Sequence, residues 1–366
     1  MKNSIAIIGG GIAGLSASII LAKKGFYITV YEKNTYPNHK VCGEYVSKES
    51  VAFLKELGIF NQMADKPNIN RLIVSAPSGL FFKSEMKMGG IGISRYLFDT
   101  LLYEEAVKNG VSFIFEEVSE IKNNDTNQKI VETKNLTHSY EKVILAFGKR
   151  SNLDIKWERP FAIKAKTKLN QWVGIKHHIR LDSIDNKTIE LHNFEGGYCG
   201  ISRVENNIVC LCYLVSSAQL KNRNIAQLEK EVLQKNPFLK QIFNDATFIF
   251  DKPLAISQIS FDKKMQVYDN MPMLGDAAGL ITPLCGNGMS LALQSASILC
   301  KHIESKYWIE NYQAEWKKKL AKRLFWGRII QRGFGKSRNS ELLIKCANTF
   351  PKIGNYLVQK SHGTSF

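Results

Sequence analysis

The hydrophobic positions of the chain fall into three regimes. At the start, Ile5-Ala6-Ile7-Ile8 is a continuous apolar run of strand length, the pattern of a strand buried on both faces. Gly9-Gly10-Gly11-Ile12-Ala13-Gly14 interrupts it. Leu15 to Lys24 then reads as a helix closed by Gly25, and Ile28-Thr29-Val30-Tyr31 as a second strand ended by Glu32. From about Pro160 to Asp262 the pattern turns strand-like. Trp172 to Ile179 contains period-two stretches, and Gly196 to Ser202 and Ile208 to Leu214 flank Asn206-Asn207 as the arms of a hairpin. Beyond Met273 the helical period returns. Ser290 to Ile303 places Leu291, Leu293, Ala296, Leu299 and Cys300 on apolar positions, and about Trp308 to Arg332 sets Trp308, Tyr312, Trp316, Leu320, Leu324 and Ile329 among lysines and arginines. No run approaches the ~18 apolar residues of a spanning helix. Met1-Lys2-Asn3-Ser4 leads into the first strand without the form of a signal peptide.

The opening strand, glycine turn, helix and strand form a βαβ unit, and this context gives G-x-G-x-x-G its meaning. Gly9 allows the tight turn, Gly11 lets the backbone approach a pyrophosphate, and Gly14 lets the helix pack on the sheet. The helix N-terminus supplies N–H groups and the positive end of its dipole. Glu32 can accept hydrogen bonds from a ribose, and its charge disfavours a 2′-phosphate, so FAD or NAD is expected over NADP. Ala13 inside the fingerprint and Lys33 beside Glu32 complete the expected nucleotide set.

A second glycine-rich segment lies far downstream. Met273-Leu274-Gly275-Asp276-Ala277-Ala278-Gly279 follows a short strand pattern and leads to Gly286-Asn287-Gly288-Met289 before the next helix. Taken with Ile93-Ser94-Arg95-Tyr96-Leu97-Phe98-Asp99 and Val143-Ile144-Leu145-Ala146-Phe147-Gly148, the chain resembles the FAD-dependent aromatic-hydroxylase and geranylgeranyl-reductase-like flavoproteins. That superfamily also holds flavin monooxygenases and halogenases. The matches span roughly residues 1 to 300 in the family's order, specific for the superfamily and poorly specific for the reaction.

The resemblance implies an α/β fold: a Rossmann-like FAD-binding domain with a parallel sheet, an inserted, mostly antiparallel substrate sheet, and C-terminal helices. Residues 1–75, 93–158 and 262–303 would form the discontinuous FAD domain, 76–92 and 159–261 the sheet domain, and 304–366 a basic helical region. Asp276 would bind the ribityl or pyrophosphate side of the flavin. Gly286, Asn287, Gly288 and Met289 would turn backbone N–H groups toward O2 and N1 of the ring, where reduced flavin is negative. Arg95 would contact the flavin or its phosphates, or else cap a helix as a surface cation. Asp99, four residues on, reads as its helical ion-pair partner.

On the substrate side, Cys42-Gly43 resembles a pair found near the flavin in isoprenoid reductases and in some halogenase-like members. Cys42 is therefore a candidate catalytic thiol, with a small buried apolar thiol as the alternative. Tyr198, in Gly196-Gly197-Tyr198-Cys199-Gly200, is a candidate pocket residue or a core tyrosine. His177 and His178 point to opposite faces of a strand and make a poor metal pair, one expected buried and the other exposed. No metal is expected. Phe147 stands where many hydroxylases carry an acid, so reduction by NAD(P)H competes with supply from a separate reductase. No second G-x-G-x-x-G is present, and Trp157-Glu158-Arg159-Pro160 lacks the halogenase tryptophan motif.

Charge sharpens the partner question. Fifty basic and 33 acidic residues give +17, and residues 301–366 hold 14 Lys/Arg against four Asp/Glu, a net +10. This basic end fits a solvated helix face, an anionic membrane surface, an acidic carrier protein or an anionic substrate. No motif points to nucleic acid. The seven cysteines are scattered with no CxxC pair, as expected for reduced thiols in a cytoplasmic protein, peripheral to the membrane if the basic end binds it. The leading expectation is an FAD-dependent monooxygenase acting on an aromatic, polyketide-like or otherwise hydrophobic substrate, free or carrier-bound, through a flavin C4a-hydroperoxide. The alternatives are a double-bond reductase of a prenyl or polyene chain, and a halogenase or non-catalytic flavin-binding protein.

Overall fold

The computed structural model describes residues 3–125, 128–167, 172–281, 287–333, 336–361 and 363–366. The first domain is laid on a four-stranded parallel sheet: β1 (Ser4–Ile8), β2 (Tyr27–Tyr31), β6 (Ser112–Ile114) and β10 (Lys142–Leu145), in the order β10-β1-β2-β6. All five residues of β1 are buried, as its unbroken apolar run requires for a central strand covered on both faces. Helix α1 (Ile12–Lys23) is buried over its first ten residues because it lies between the sheet and two other helices, α3 (Arg95–Lys108) and α8 (Gly288–His302). It begins three residues before the expected Leu15. Gly11 is its N-cap, and Gly14 therefore lies inside the first turn. A small antiparallel sheet of β7 (Glu120–Asn123), β8 (Lys129–Glu132) and β9 (Thr137–Tyr140) precedes β10.

The second sheet has nine strands: β3 (Tyr45–Ser47), β4 (Asn68–Ser75), β5 (Phe81–Gly92), β11 (Trp172–Arg180), β12 (Thr188–Phe194), β13 (Gly197–Arg203), β14 (Val209–Ser216), β15 (Thr247–Phe248) and β16 (Leu254–Ile259). Its pairings are antiparallel except β12 with β4. The β13–β14 hairpin forms at Asn206-Asn207, both in the left-handed region at φ 57° and 56°, where asparagine is tolerated. Hydrogen bonding places β3 and β4 in this sheet, although both lie within the 1–75 segment expected in the FAD domain. The sheet recruits them because β4 pairs in parallel with β12 and so needs a distant segment of chain.

Period two sorts the sheet's side chains. Ile175, Cys199, Ile201, Leu211, Tyr213 and Val215 pack under α6 (Ile225–Glu231) and α7 (Pro237–Asp245), through Leu228, Leu239 and Ile242. The other face turns Gly174, Lys176, His178, Tyr198 and Leu214 toward the first domain. The expected exposed histidine is absent. His177 contacts Glu229 of α6 at 2.7 Å and His178 contacts Glu44 at 2.7 Å, so both strand faces are covered and both rings are buried.

The other helices are α2 (Val51–Leu57), α4 (Asn152–Lys156), α5 (Pro160–Thr167), α9 (Trp308–Gly333), α10 (Ser337–Thr349) and α11 (Pro351–Ser361). The hairpin β17 (Val267–Tyr268) and β18 (Met271–Pro272) leads into the second glycine segment. Tyr312, Trp316, Leu320 and Leu324 of α9, spaced by four, enter the core of the first domain. At its start, Glu315 meets Lys301 and Lys319 at 3.0 Å and His302 at 2.6 Å. Desolvation raises the Glu315 pKa, but hydrogen bonds from Lys319, His302 and Lys301 outweigh it and hold the carboxyl at about 2, against an ordinary 4.5. A depressed carboxyl contributes stability that is complete above pH 4.5 and lost as pH falls toward 2. The melting temperature of Glu315→Gln should lie below wild type at neutral pH, with the gap closing in acid. A gap independent of pH would refute the ion pairing.

Candidate flavin site

The fingerprint glycines have distinct constraints. Gly9 sits at φ +110°, and a Cβ there would lie 2.4 Å from Ala146 O. A Cβ on Gly14 would lie 2.0 Å from Gly9 O. A Cβ on Gly11 would meet nothing within 4 Å. Gly9 and Gly14 are thus required by the fold, whereas Gly11 faces open space at the start of α1. That helix has no side-chain cap and no acid in its first turn, so its leading N–H groups are left for an anion. Glu32 Oε2 accepts a hydrogen bond from Gly10 N at 2.9 Å, and Oε1 accepts one from Asn34 N at 3.1 Å, fixing the carboxylate at the end of β2. Lys33 is exposed beside it, outside the cavity wall.

A cavity of about 220 Å³ runs from Gly11, Ile12 and Ala13 to the second sheet. Gly275 and Asp276 line it, as do Gly288 and Met289 of α8. Helix α8, capped by the buried Asn287, again has no side-chain cap bond and no acid in its first turn. Two long helices therefore bring N-termini without a side-chain cap bond to one cavity from opposite ends of the sequence. This polarity fits an anionic, phosphate-bearing cofactor, and the open space at Gly11 leaves room for it. Gly286 lies outside the described residues.

Arg95 lines the cavity and is not a surface cation. Its Nε and Nη2 each reach Asp99 at 2.7 Å, a bidentate pair one helical turn apart, and Lys40 adds a 2.9 Å contact to the same carboxylate. Desolvation opposes the Asp99 charge, but Arg95 and Lys40 outweigh it and hold the carboxyl below its usual range. On the sheet side Cys42, Tyr198, Cys212, Leu214 and Ile259 form the wall. Tyr198 is buried among Leu214, Ile259 and Leu280. Burial pushes the Cys212 thiol up to about 12, so it is neutral.

Two groups were missed in the sequence. Lys264 Nζ donates to Asp276 O at 2.8 Å and to Lys149 O at 2.9 Å, tying the Gly-Asp segment to the turn after β10. Burial pushes its pKa down to about 8. Glu44, at φ +55°, is wholly buried beneath the Cys42 loop. Its Oε1 accepts from Lys176 Nζ at 2.5 Å and from Arg95 N at 2.7 Å, and its Oε2 lies 2.7 Å from His178 Nε2. Burial opposes its charge, but the His178 hydrogen bond and the Lys176 charge prevail and hold Glu44 below its ordinary range. Lys176 is raised in turn, chiefly by Glu44 acting against burial. Glu44, His178 and Cys210 have ligand atoms within 4.8 Å of one another. The Lys176 ammonium already neutralises that carboxylate and would repel a metal ion, so the cluster is an ion pair. Spacing along the chain gave no sign of it, because 132 residues separate Glu44 from Lys176.

The FAD binding domain family model matches residues 2–308. The conditioned medium factor receptor 1 of Dictyostelium discoideum is 21% identical over 333 residues, covering 80% of this chain and 62% of the relative, so the chain spans less than two thirds of that protein. The menaquinone reductase of Mycobacterium tuberculosis is 24% identical over 376 residues, covering 95% and 85%. Among solved structures, the flavin-dependent brominase Bmp2 superposes with a TM-score of 0.77 at 17% identity, covering 99% of this chain and 94% of the brominase, a likeness of fold. The matched family and the paired helix N-termini over one cavity agree: this chain belongs to the FAD binding domain family.

Proposed function

We propose that this protein is an FAD-dependent monooxygenase for a hydrophobic, aromatic or polyketide-like substrate. The observation that carries the reading is the cavity wall opposite the glycine segments. Val41, Leu191, Leu214, Ile259 and Leu280 make it apolar, Tyr198 adds a phenol, and the acid on this side, Glu44, is neutralised by Lys176. Gly11 and the α1 N-terminus would hold the pyrophosphate, Asp276 the ribityl side, and Gly288 and Met289 the ring edge. When bound and reduced, flavin supplies the electrons that activate dioxygen. The chain's part is to orient an apolar substrate, exclude water through the leucine and isoleucine wall, and keep competing charges off the reacting atoms. Electrons would come from NAD(P)H or from a separate reductase.

A second reading, reduction of a substrate double bond, is favoured by one feature: the Cys42 side of the loop forms part of the same wall, where a thiol would be placed to deliver a proton. Anaerobic titration with NADH and NADPH, followed by oxygen and a panel of alkylphenols and prenyl alcohols, separates the two. The monooxygenase reading expects oxygen uptake coupled to hydroxylated product, with Cys42→Ser keeping most activity. Product formed without oxygen and lost in Cys42→Ser would replace it with the reductase. Peroxide released in full with every substrate would reject oxygen transfer.

A further inference from the structure

The outward faces of the last three helices carry a pattern that the flavin site does not use. While α9 turns its four-spaced aromatic and leucine stripe inward, Phe325 and Trp326 on the other side are each 53% exposed, with the exposed Lys322 and Lys318 one and two turns before them. Helix α10 repeats the arrangement. Ser340 and Ile344 face inward, and Leu342 is 59% exposed between the exposed Arg338 and Lys345. Into α11, Phe350, Ile353 and Tyr356 are exposed around Lys352. Single exposed apolar residues are ordinary, but large apolar side chains set among lysines on successive helices are the composition of an interfacial surface.

The position of these helices matters as much. Leu324 of α9 closes over Gly279, its Cδ1 2.9 Å from where a Cβ would be, next to the cavity residue Leu280. Val358 of α11 packs with Tyr45 and Ile189, two residues of the cavity wall. Glu49 joins the two helices: Arg323 of α9 donates to it at 2.8 Å and Gly363 N, just past α11, at 2.6 Å. The helices thus border the cavity on two sides and are tied to each other.

We propose that α9, α10 and α11 dock this protein on an anionic lipid bilayer, with Phe325, Trp326 and Leu342 entering the headgroup region and the flanking lysines meeting lipid phosphates. The net +10 of residues 301–366 supplies the charge complementarity. Lysines interspersed with large apolar side chains match a bilayer, which offers phosphates and an apolar layer together. The docking stands whichever reaction the flavin performs.

The test is co-sedimentation of the flavin-loaded full chain with phosphatidylcholine vesicles, with and without phosphatidylglycerol. We expect binding to the phosphatidylglycerol vesicles at about 0.1 M salt, weakened as salt rises, with a blue shift of tryptophan emission. Because the altered residues are exposed, Phe325→Ser/Trp326→Ser/Leu342→Ser should keep its flavin spectrum and melting temperature while its partition falls roughly tenfold or more. Lys318→Glu/Lys322→Glu should also bind less, through charge. Wild type left in the supernatant would overturn the proposal, as would a triple variant that binds equally well. So would a wild-type dimer that the triple variant dissolves, which would assign the apolar face to a second copy of the chain.

Discussion

A Gly11→Val variant is expected to fold and to purify without colour. Gly11 has ordinary φ of −83° and an extended ψ of −177°, which a β-branched residue adopts without strain. Its Cβ would enter open space at the mouth of α1, with nothing within 4 Å of that atom. What the valine fills is the room a pyrophosphate needs at the helix N-terminus. Flavin affinity should fall on the order of 100-fold or more, since both close backbone approach and phosphate access to the N–H groups are lost. The comparison is with wild type stripped of flavin, whose melting temperature the variant should share. Gly14→Val is the control with the opposite signature: its Cβ would stand 2.0 Å from Gly9 O, so it should fail to fold. A yellow Gly11→Val protein with wild-type flavin titration would remove the pyrophosphate from this turn.

The second large effect is at Glu44. Glu44→Ala leaves the Lys176 ammonium buried without its counter-charge and takes an acceptor from Arg95 N and His178. Breaking one half of a buried pair costs about 3–5 kcal/mol, a large fraction of the roughly 5–15 kcal/mol that stabilises a typical domain. The variant should show a sharply lowered denaturant midpoint. Adding Lys176→Met should recover much of the loss, because the unpaired charge is then gone. If the double variant is no more stable than Glu44→Ala, the ion pair is not what the site depends on. The pH dependence has a defined sign. Glu44 is held below the ordinary carboxyl value of 4.5, so its contribution is complete above that value and lost as pH falls below it. Below pH 4.5 wild type should therefore lose stability more steeply than the double variant.

Helix α9 shows why some elements were legible and others not. Its four-residue apolar spacing made packing and length readable, and Tyr312, Trp316, Leu320 and Leu324 do enter the core. The same pattern could not tell that β3 and β4 join the second sheet, because strand partners are chosen by registers between distant segments. Nor could it tell that both His177 and His178 are buried. Alternation assigns opposite faces, but whether a face is covered depends on α6 on one side and the Cys42 loop on the other.

The sequence by itself determined the glycine turn between β1 and α1, because glycine spacing between a strand and a helix is a local steric requirement that no distant residue can replace. It also determined the helical bidentate partner of Arg95, four residues away in one helix. Only the tertiary structure decided that Gly11 and Gly288 open onto one cavity, that Lys264 bridges Lys149 and Asp276, and that Glu44 meets Lys176 and His178 out of water. Those contacts join residues more than a hundred positions apart, apart from the short Lys264–Asp276 span. Their strength comes from burial, a property of the assembled domains that the order of residues along the chain does not display.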